Sequence, residues 1–271
     1  MGSRFKGQVV IVTGGGRGIG RATALAFAEE GATLVLAGRR LDALRTTAAE
    51  VTEEGGKASV VHCDVAKEED LAALVGKTIR HHKRIDVLVN NAGVVTGGRL
   101  DEIDPDDVRR MVDVNIWAPI RLTQLVLPHM RRKERGTVVN VSSLAGRMGV
   151  PFYATYCASK YAVRGFSEAL RRELADGPVR VTWFAPRSTR TAMNRDAVGA
   201  LNAELGVAAD SPQVVAGALL SLLEKPSPER RLGMPEALFA RINQLAPWLV
   251  DRALRRQLPQ IRRHLAKETP Q

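Results

Sequence analysis

The stretch Val9-Val10-Ile11-Val12-Thr13-Gly14-Gly15-Gly16-Arg17-Gly18-Ile19-Gly20 decides the fold class of this chain. It opens with an uninterrupted apolar run, typical of a strand buried on both faces, and a helical run over residues 21–30 follows it. Glycines at such a junction permit a tight turn and let backbone amides approach a pyrophosphate, which the helix N-terminus also attracts. We therefore predict a dinucleotide-binding turn. Its expected binding residues are Gly14, Gly16, Arg17, Gly18, Ile19 and Gly20.

The rest of the chain continues this alternation of short strands and longer helices. The predicted strands cover residues 9–13, 33–37, 58–62, 87–90, 137–141 and 179–184. The predicted helices cover residues 21–30, 42–54, 68–82, 105–132 and 154–175. Strict alternation is typical of an α/β fold of three layers, in which helices cover both faces of a central parallel sheet.

Composition restricts the class of protein without choosing a function. Of the 271 residues 45% are hydrophobic, and no run reaches the about 18 apolar residues that a membrane-spanning helix needs. Cys63 and Cys157 show no metal-ligand spacing, so we expect free thiols, no metal and a cytoplasmic location. The net charge of +11 attracts anions, whether nucleic acid, anionic lipid or a phosphorylated small molecule.

The end of the second predicted strand indicates which nucleotide binds. A site for NAD usually carries an acidic residue there, which holds the ribose hydroxyls. This chain reads Ala37-Gly38-Arg39-Arg40 instead, and its first acid, Asp42, falls in the next predicted helix. Guanidinium groups bind phosphate through forked, charge-assisted hydrogen bonds. We therefore expect NADP(H), with the 2′-phosphate held by Arg39 or Arg40 and by Arg17 from the glycine turn.

A second informative stretch is Tyr156-Cys157-Ala158-Ser159-Lys160, which places a tyrosine and a lysine one helical turn apart. Residues at this spacing project from the same face of a helix, and a cation beside a phenol favours the phenolate. A free tyrosine has a pKa of about 10, too high for proton transfer at neutral pH unless it is lowered. Taken alone, the pair also occurs by chance on any helix.

Further motifs follow in a fixed order. Asp64-Val65 comes after the third predicted strand, Asn90-Asn91-Ala92-Gly93 after the fourth, and Ser143 after the fifth. With the glycine turn and the Tyr156–Lys160 pair, this order and spacing resembles the short-chain dehydrogenase/reductase family over roughly residues 6–225. The resemblance implies a Rossmann fold of one domain with a parallel sheet of about seven strands.

The resemblance also implies a role for each motif. Tyr156 would donate a proton in reduction and accept one in oxidation, while Lys160 lowers its pKa and binds the nicotinamide ribose. Ser143 would hydrogen-bond the substrate carbonyl, with its neighbour Ser142 left as an alternative, and Asn115 would hold a relay water through its main chain. Contacts to the adenine and its ribose are implied for Asp64, Val65, Asn91, Ala92 and Gly93.

One loop departs from the family pattern, which usually has Pro-Gly and then a threonine after the sixth strand. Here the run is Pro186-Arg187-Ser188-Thr189-Arg190-Thr191. Pro186 and Thr191 match and are expected to bind the cofactor, whereas Arg187 replaces the glycine and is strained if the position requires a positive φ. Three arginines of this loop either favour an acidic substrate or are simply solvated: Arg187, Arg190 and Arg195.

From residue 226 onward the chain is rich in arginine and interrupted by proline. We assign residues 1–225 to the dinucleotide-binding and catalytic domain and residues 226–271 to a basic, amphipathic helical extension. Pro247 and Pro259 are expected to interrupt its apolar stripes. Such an extension packs on its own domain or a sister subunit, contacts a membrane surface, or covers the substrate. The last two favour a hydrophobic substrate, such as a steroid, retinoid or lipid-like ketone.

The leading hypothesis is an NADP(H)-dependent oxidoreductase that interconverts a carbonyl and a secondary alcohol. The resemblance further implies a homodimer or homotetramer that pairs the helices around residues 106–132 and 154–175. An alternative, suggested by Arg187, is a non-catalytic protein that binds or senses NADP(H). Nucleic-acid binding is not expected, because aromatic residues make up only 4% of the chain and no recognition motif is present.

Overall fold

The computed structural model describes residues 4–193, 196–224 and 227–265. Within these ranges, seven strands form one parallel sheet in the order β3-β2-β1-β4-β5-β6-β7. The strands are β1 Val9–Thr13, β2 Thr33–Gly38, β3 Lys57–His62, β4 Val87–Asn90, β5 Gly136–Val141, β6 Val179–Ala185 and β7 Glu229–Arg231. The strand order reverses between β1 and β4, which pair with each other. In an open parallel sheet, ligands bind at the carboxyl ends of the strands beside such a reversal.

Helices cover both faces of this sheet. They are α1 Gly18–Glu29, α2 Leu41–Glu53, α3 Glu68–His82, α4 Pro105–Val112, α5 Ala118–Arg132, α6 Ala154–Glu173, α7 Asp196–Glu204, α8 Pro212–Glu224, α9 Met234–Leu245 and α10 Pro247–Leu265. Alternate residues of β1 point to opposite faces. Val9 and Ile11 therefore join a core with α3, α5 and α6, whereas Val10 and Val12 join a core with α1, α2 and α8. The predicted three-layer α/β fold is confirmed.

The structure corrects three local expectations. The predicted helix over 105–132 is divided into α4 and α5 by a π-helical segment, Asp113–Trp117, because one turn there contains an extra residue. Pro247 begins α10, where a missing N–H costs nothing, and Pro259 lies inside α10 without ending it. Strand β7 pairs with β6 although it lies beyond residue 225, so the sheet includes three residues of the segment that we assigned to the extension.

The extension packs partly on the rest of the protein. Ile261 of α10 is buried against Leu201 of α7, and His264 hydrogen-bonds Glu204 at 2.6 Å. Burial of Ile261 two residues after Pro259 explains why the helix continues, because tertiary packing outweighs the intrinsic penalty of proline. Among the residues described, no helix has the length and apolar character needed to cross a membrane.

Candidate active site

The glycine turn after β1 forms a close-packed cradle at the sheet reversal. Gly14 and Gly18 have φ of +68° and +52°, a region that favours glycine. A Cβ on Gly20 would lie 2.2 Å from the carbonyl oxygen of Gly14 and 2.5 Å from Nδ2 of Asn91. Only glycine therefore lets the first turn of α1 approach the loop this closely. The geometry fits a pyrophosphate bound at the N-terminus of α1.

The loop after β4 is fastened to this cradle by Thr13, which the sequence analysis did not identify. The Thr13 hydroxyl accepts hydrogen bonds from the backbone N–H groups of Asn91 and Ala92, both at 3.0 Å. The Asn91 side chain donates in turn to the Thr13 carbonyl at 2.9 Å. The signal available in the sequence was a polar residue at the end of an otherwise apolar strand. Thr13 thus fixes the distance between the glycine turn and Asn91–Gly93.

A second buried polar connection was also missed. Asn90 at the end of β4 donates to the side chain of Asn140 in β5 at 2.8 Å, and Asn140 donates to Ser167 of α6 at the same distance. Asn140 is completely buried, so these hydrogen bonds satisfy polar groups that burial would otherwise make costly. These hydrogen bonds hold α6 against β4 and β5.

Helix α6 carries Tyr156 and Lys160 to the same edge of the sheet. The Ser143 side chain, which follows β5, lies near enough to the Tyr156 hydroxyl to lower its pKa. The Lys160 ammonium lies 5.6 Å from the centre of the Tyr156 ring. Ser142, the alternative to Ser143, instead donates to the Lys160 carbonyl at 3.4 Å. The structure therefore brings Ser143, Tyr156 and Lys160 together and directs Ser142 to the backbone of α6.

Burial shifts the pKa of Tyr156 more than the neighbouring Lys160 ammonium does. Burial raises the pKa of Tyr156 to about 12, and the neighbouring Ser143 side chain opposes part of that rise. Lys160, whose ammonium faces the ring, is not among the groups that shift the Tyr156 pKa, so the expected lowering by Lys160 is not found. Burial lowers the pKa of Lys160 itself to about 8. At neutral pH Tyr156 is therefore protonated, as a proton donor requires.

From the lowered pKa of Lys160 we predict how the stability of the folded protein depends on pH. A base whose pKa falls from 10.5 to about 8 on folding destabilises the folded state whenever it is protonated in the unfolded chain. This destabilisation is complete below pH 8 and disappears above pH 10.5. We expect Lys160→Met to raise the free energy of unfolding at pH 7 by about 3 kcal/mol, and this gain to disappear as the pH approaches 10.5.

Urea unfolding of both proteins at pH 7 and pH 10 measures the effect, with Lys77→Met at an exposed position of α3 as the control. A Lys160→Met protein less stable than the wild type at pH 7 contradicts the prediction.

Asn115 lies in the π-helical segment and is 2% exposed. Its side chain exchanges two hydrogen bonds of 2.9 Å with the backbone of Val94 and donates to Ser159 at 3.1 Å. Ser159 donates to the carbonyl of Tyr156 at 2.7 Å. A Cβ on Gly93 would lie 3.3 Å from Asn115 Oδ1 and 3.7 Å from Lys160 Nζ. Asn115 thus joins the loop after β4 to the helix that carries Tyr156.

The remaining predicted contacts surround the same edge. Thr191 contacts the glycine turn, since a Cβ on Gly18 would lie 3.0 Å from its methyl group, and Pro186 is buried at the end of β6. Val65 is buried, and the backbone N–H of Asp64 is held by Asp70 at 2.7 Å. Ile19 is partly buried in the first turn of α1. Three cations are exposed and form no ion pair with any residue that the structure describes: Arg17, Arg39 and Arg40.

The expected strain at Arg187 is not present. Outside glycine, the described residues with positive φ are Lys83, Glu134 and Phe152, so Arg187 has an ordinary backbone. Its guanidinium binds the Asp210 carboxylate at 2.6 Å, with 23% of the side chain exposed. Of the other loop arginines, the Arg190 side chain is exposed and donates to the Ala209 carbonyl, and Arg195 lies outside the described residues. Arg187 therefore joins the loop after β6 to the segment before α8 instead of being solvated.

A glycine cradle at the reversal of a parallel sheet defines a Rossmann-type dinucleotide-binding protein. Residues 8–201 match the family described as short chain dehydrogenase, and the chain belongs to that family of oxidoreductases. The uncharacterized oxidoreductase YxnA of Bacillus subtilis is 35% identical over 257 residues, 93% of this chain and 72% of that protein. The resemblance to the short-chain dehydrogenase/reductase family is thereby confirmed.

Two solved structures share the fold. A short-chain type dehydrogenase/reductase from Mycobacterium marinum superposes with a TM-score of 0.79 at 26% identity, covering 84% of this chain and 94% of that one. A metagenomic short-chain oxidoreductase in complex with NADP gives a TM-score of 0.72 at 34% identity, covering 85% of this chain and 99% of that one. These coverages extend the likeness across most of the sheet and its helices.

Proposed function

We propose that the protein is an NADP(H)-dependent oxidoreductase that interconverts a carbonyl and a secondary alcohol, with Tyr156 as general acid/base. The observation that carries this proposal is that the side chains of Ser143, Tyr156 and Lys160 lie together at the edge of the sheet where the glycine cradle lies. Two hydroxyls there can share one carbonyl oxygen, and a protonated phenol can complete its conversion to an alcohol.

The choice of NADP(H) rests on the cations around the cradle. Arg39 and Arg40 follow β2, Arg17 lies in the glycine turn, and their exposed guanidinium groups form no ion pair with described residues. A 2′-phosphate supplies the acceptor that forked guanidinium donors bind best. The neighbour that contains NADP supports the same preference. The nicotinamide ribose would be held by Tyr156 and Lys160, and the adenosine part by Asp64, Val65 and residues 91–93.

The chain's own residues supply the proton and the orientation. When bound, the reduced nicotinamide supplies the hydride that the carbonyl carbon accepts. Ser143 hydrogen-bonds the carbonyl oxygen, and Tyr156 donates its proton as negative charge develops on that oxygen. Burial gives Lys160 a pKa of about 8, which suits a group that returns a proton to Tyr156 near neutral pH. The main chain of Asn115 would hold a relay water, because a π-helical turn displaces backbone groups from their usual partners.

An apolar cluster beside Tyr156 supports a hydrophobic substrate. The Tyr153 ring lies 6.3 Å from the Tyr156 ring, and Phe152 and Tyr153 pack against Leu201 and Ile261. Ile261 belongs to α10, so the extension contributes directly to this wall. Apolar walls with a few placed polar groups are typical of small-molecule sites. We infer that α10 covers the substrate, and that the substrate is an apolar ketone or alcohol of steroid, retinoid or lipid type.

Consumption of NADPH with a panel of carbonyl compounds tests this proposal. Apolar ketones such as steroid and long-chain ketones are expected to give the highest kcat/KM, and short oxo acids the lowest. A preference for oxo acids would contradict the proposed hydrophobic substrate class and favour an acidic substrate. Binding of NADPH without turnover of any compound would favour the non-catalytic alternative.

We also propose that the protein forms a homodimer or homotetramer through α4, α5 and α6. Val112 of α4 and Tyr161 of α6 are 43% and 39% exposed. A matching surface on a second copy would bury both. Sedimentation velocity distinguishes these assemblies from a monomer, and a monomer at micromolar concentration would contradict the proposal.

The α9–α10 corner supports peripheral contact with an anionic membrane. Leu245, Trp248 and Leu249 are 84%, 65% and 52% exposed, and exposed arginines follow them in α10. An apolar tip beside cations is typical of interfacial helices. We expect Trp248→Gln to weaken binding to phosphatidylserine vesicles by about tenfold. Co-sedimentation with vesicles measures this binding, and Leu100→Gln, at another exposed apolar position, is the control. Equal binding by both variants would show that the α9–α10 corner does not contact the membrane.

A further inference from the structure

Arg147 joins the turn after Ser143 to the C-terminal extension. Ser143 begins a short 3₁₀ turn, Leu144–Gly146, and Arg147 follows this turn directly. The Arg147 side chain is buried and forms an ion pair with Glu229 of β7. Its backbone carbonyl accepts a hydrogen bond of 3.1 Å from the side chain of Asn243 in α9. Two contacts of one buried residue therefore come from the extension.

The carboxylate of Glu229 also reaches α6, the helix that carries Tyr156. Glu229 Oε1 lies 3.6 Å from Nε of Arg164, which follows Lys160 by one helical turn. Glu229 thus pairs with one guanidinium from α6 and with another from the turn after Ser143. Ion pairs that are largely buried are screened much less by salt and water than exposed pairs. One carboxylate therefore helps to fix the distance between the serine turn and the tyrosine helix.

The turn itself is tightly packed between α6 and β6. A Cβ on Gly146 would lie 2.7 Å from the Lys160 carbonyl oxygen and 3.1 Å from the ring of Trp183 in β6. At the start of the turn, the Ser143 hydroxyl accepts a hydrogen bond of 3.1 Å from the backbone N–H of Ala145. The turn therefore moves as a unit, and a shift at its end also moves the serine at its beginning.

We propose that Arg147 is a positioning residue, through which the extension sets the place of the Ser143 hydroxyl relative to Tyr156. This inference rests on the proposed function, in which Ser143 hydrogen-bonds the carbonyl oxygen. Displacement of a reacting group by about 1 Å can lower the rate of a reaction by about 100-fold. Glu229 and Asn243 then affect the reaction through Arg147, without contacting the reacting atoms themselves.

Hydrogen exchange of the backbone amides, measured by mass spectrometry on the full chain, tests the positioning without any substrate. In Glu229→Gln and in Asn243→Leu, the amides of residues 144–148 are expected to exchange about tenfold faster or more, because the turn opens more often. The peptide that covers residues 14–20 is expected to exchange as in the wild type. Asn243→Leu keeps both ion pairs of Glu229, so it provides the test if Glu229→Gln does not fold.

Two variants are matched controls for this experiment. Glu168→Gln breaks the exposed ion pair with Arg172 on α6, and Gln244→Leu changes the exposed neighbouring position of α9. Both are expected to leave the exchange of the turn unchanged. Unchanged exchange of the turn in Asn243→Leu, or equally faster exchange throughout the chain, would overturn the proposal whatever the activity of the protein.

A double-mutant cycle tests whether the effect on turnover passes through Ser143. With the best carbonyl substrate, Asn243→Leu is expected to lower kcat by about tenfold and to leave the KM for NADPH unchanged. Ser143→Ala removes a hydrogen-bond donor to the carbonyl oxygen and is expected to lower kcat by about 100-fold or more. In the double variant, Asn243→Leu should lower kcat no further than Ser143→Ala alone.

Additive losses of kcat in the double variant would overturn the proposal, because the effect of Asn243 would then not pass through Ser143. Full activity of Ser143→Ala, or no turnover of any carbonyl compound by the wild type, would instead contradict the proposed function. In that case hydrogen exchange still decides whether the extension positions the serine turn.

Discussion

Tyr156→Phe is expected to lower kcat for carbonyl reduction by about 10²–10⁴-fold, the usual contribution of a positioned general acid. The substitution removes the hydroxyl that lies near Ser143 and keeps the ring that faces the Lys160 ammonium. NADPH affinity is therefore expected to remain close to that of the wild type. Steady-state turnover and calorimetric titration of NADPH separate the two effects.

Tyr161→Phe is the matched control for this experiment. Tyr161 lies on the same helix and is 39% exposed, and Ser143 does not affect its pKa. Its hydroxyl is expected to be dispensable. Full activity of Tyr156→Phe would show that Tyr156 is not the general acid. Equal losses of activity in both variants would indicate a structural effect on α6.

Gly20→Ala is expected to lower NADPH affinity by about 100-fold or more. The added Cβ would lie 2.2 Å from the Gly14 carbonyl oxygen and 2.5 Å from Asn91 Nδ2, and the first of these atoms is backbone. The glycine turn must therefore move away from α1. Overpacking of this kind typically costs about 1–3 kcal/mol of stability, which denaturant unfolding measures beside the calorimetry.

Gly76→Ala provides the control, because it makes the same substitution where space is available. Gly76 is exposed in the middle of α3, and a Cβ there would meet nothing within 4 Å. Alanine is favoured over glycine inside a helix by about 0.5–1 kcal/mol, so this variant is expected to be more stable and to bind NADPH normally. Normal NADPH binding by Gly20→Ala would contradict the proposal that the glycine turn binds the nucleotide.

Local sequence determined the sheet and the glycine turn because each is encoded by neighbouring residues. Apolar runs such as Val9–Thr13 and a glycine cluster before α1 leave few alternatives for the backbone. The last strand could not be found this way, since Glu229–Arg231 has no β-branched residue and is held by pairing with β6. The π-helical turn at Asn115 depends likewise on packing between α4, α5 and α6.

The polar supports of the site depend on contacts that are distant in sequence. Thr13 meets the loop after β4 across 78 residues, and Asn90 meets Asn140 across 50. Arg187 was interpreted from its position in a motif, whereas its partner Asp210 lies 23 residues further on and decides its role. The same limit applies to Tyr156, whose pKa follows from burial more than from the lysine one turn away.

The most direct test of the central claim is calorimetric titration of NADPH and NADH with the wild type and Arg39→Ala. We predict that the wild type prefers NADPH, and that Arg39→Ala weakens NADPH binding by about 10–100-fold, the value of a charge-assisted bond to the 2′-phosphate, without changing NADH binding. Arg45→Ala, at an exposed position of α2, is the control and should bind both nucleotides as the wild type does. Equal binding of NADPH and NADH by the wild type, or binding of neither, would contradict the account.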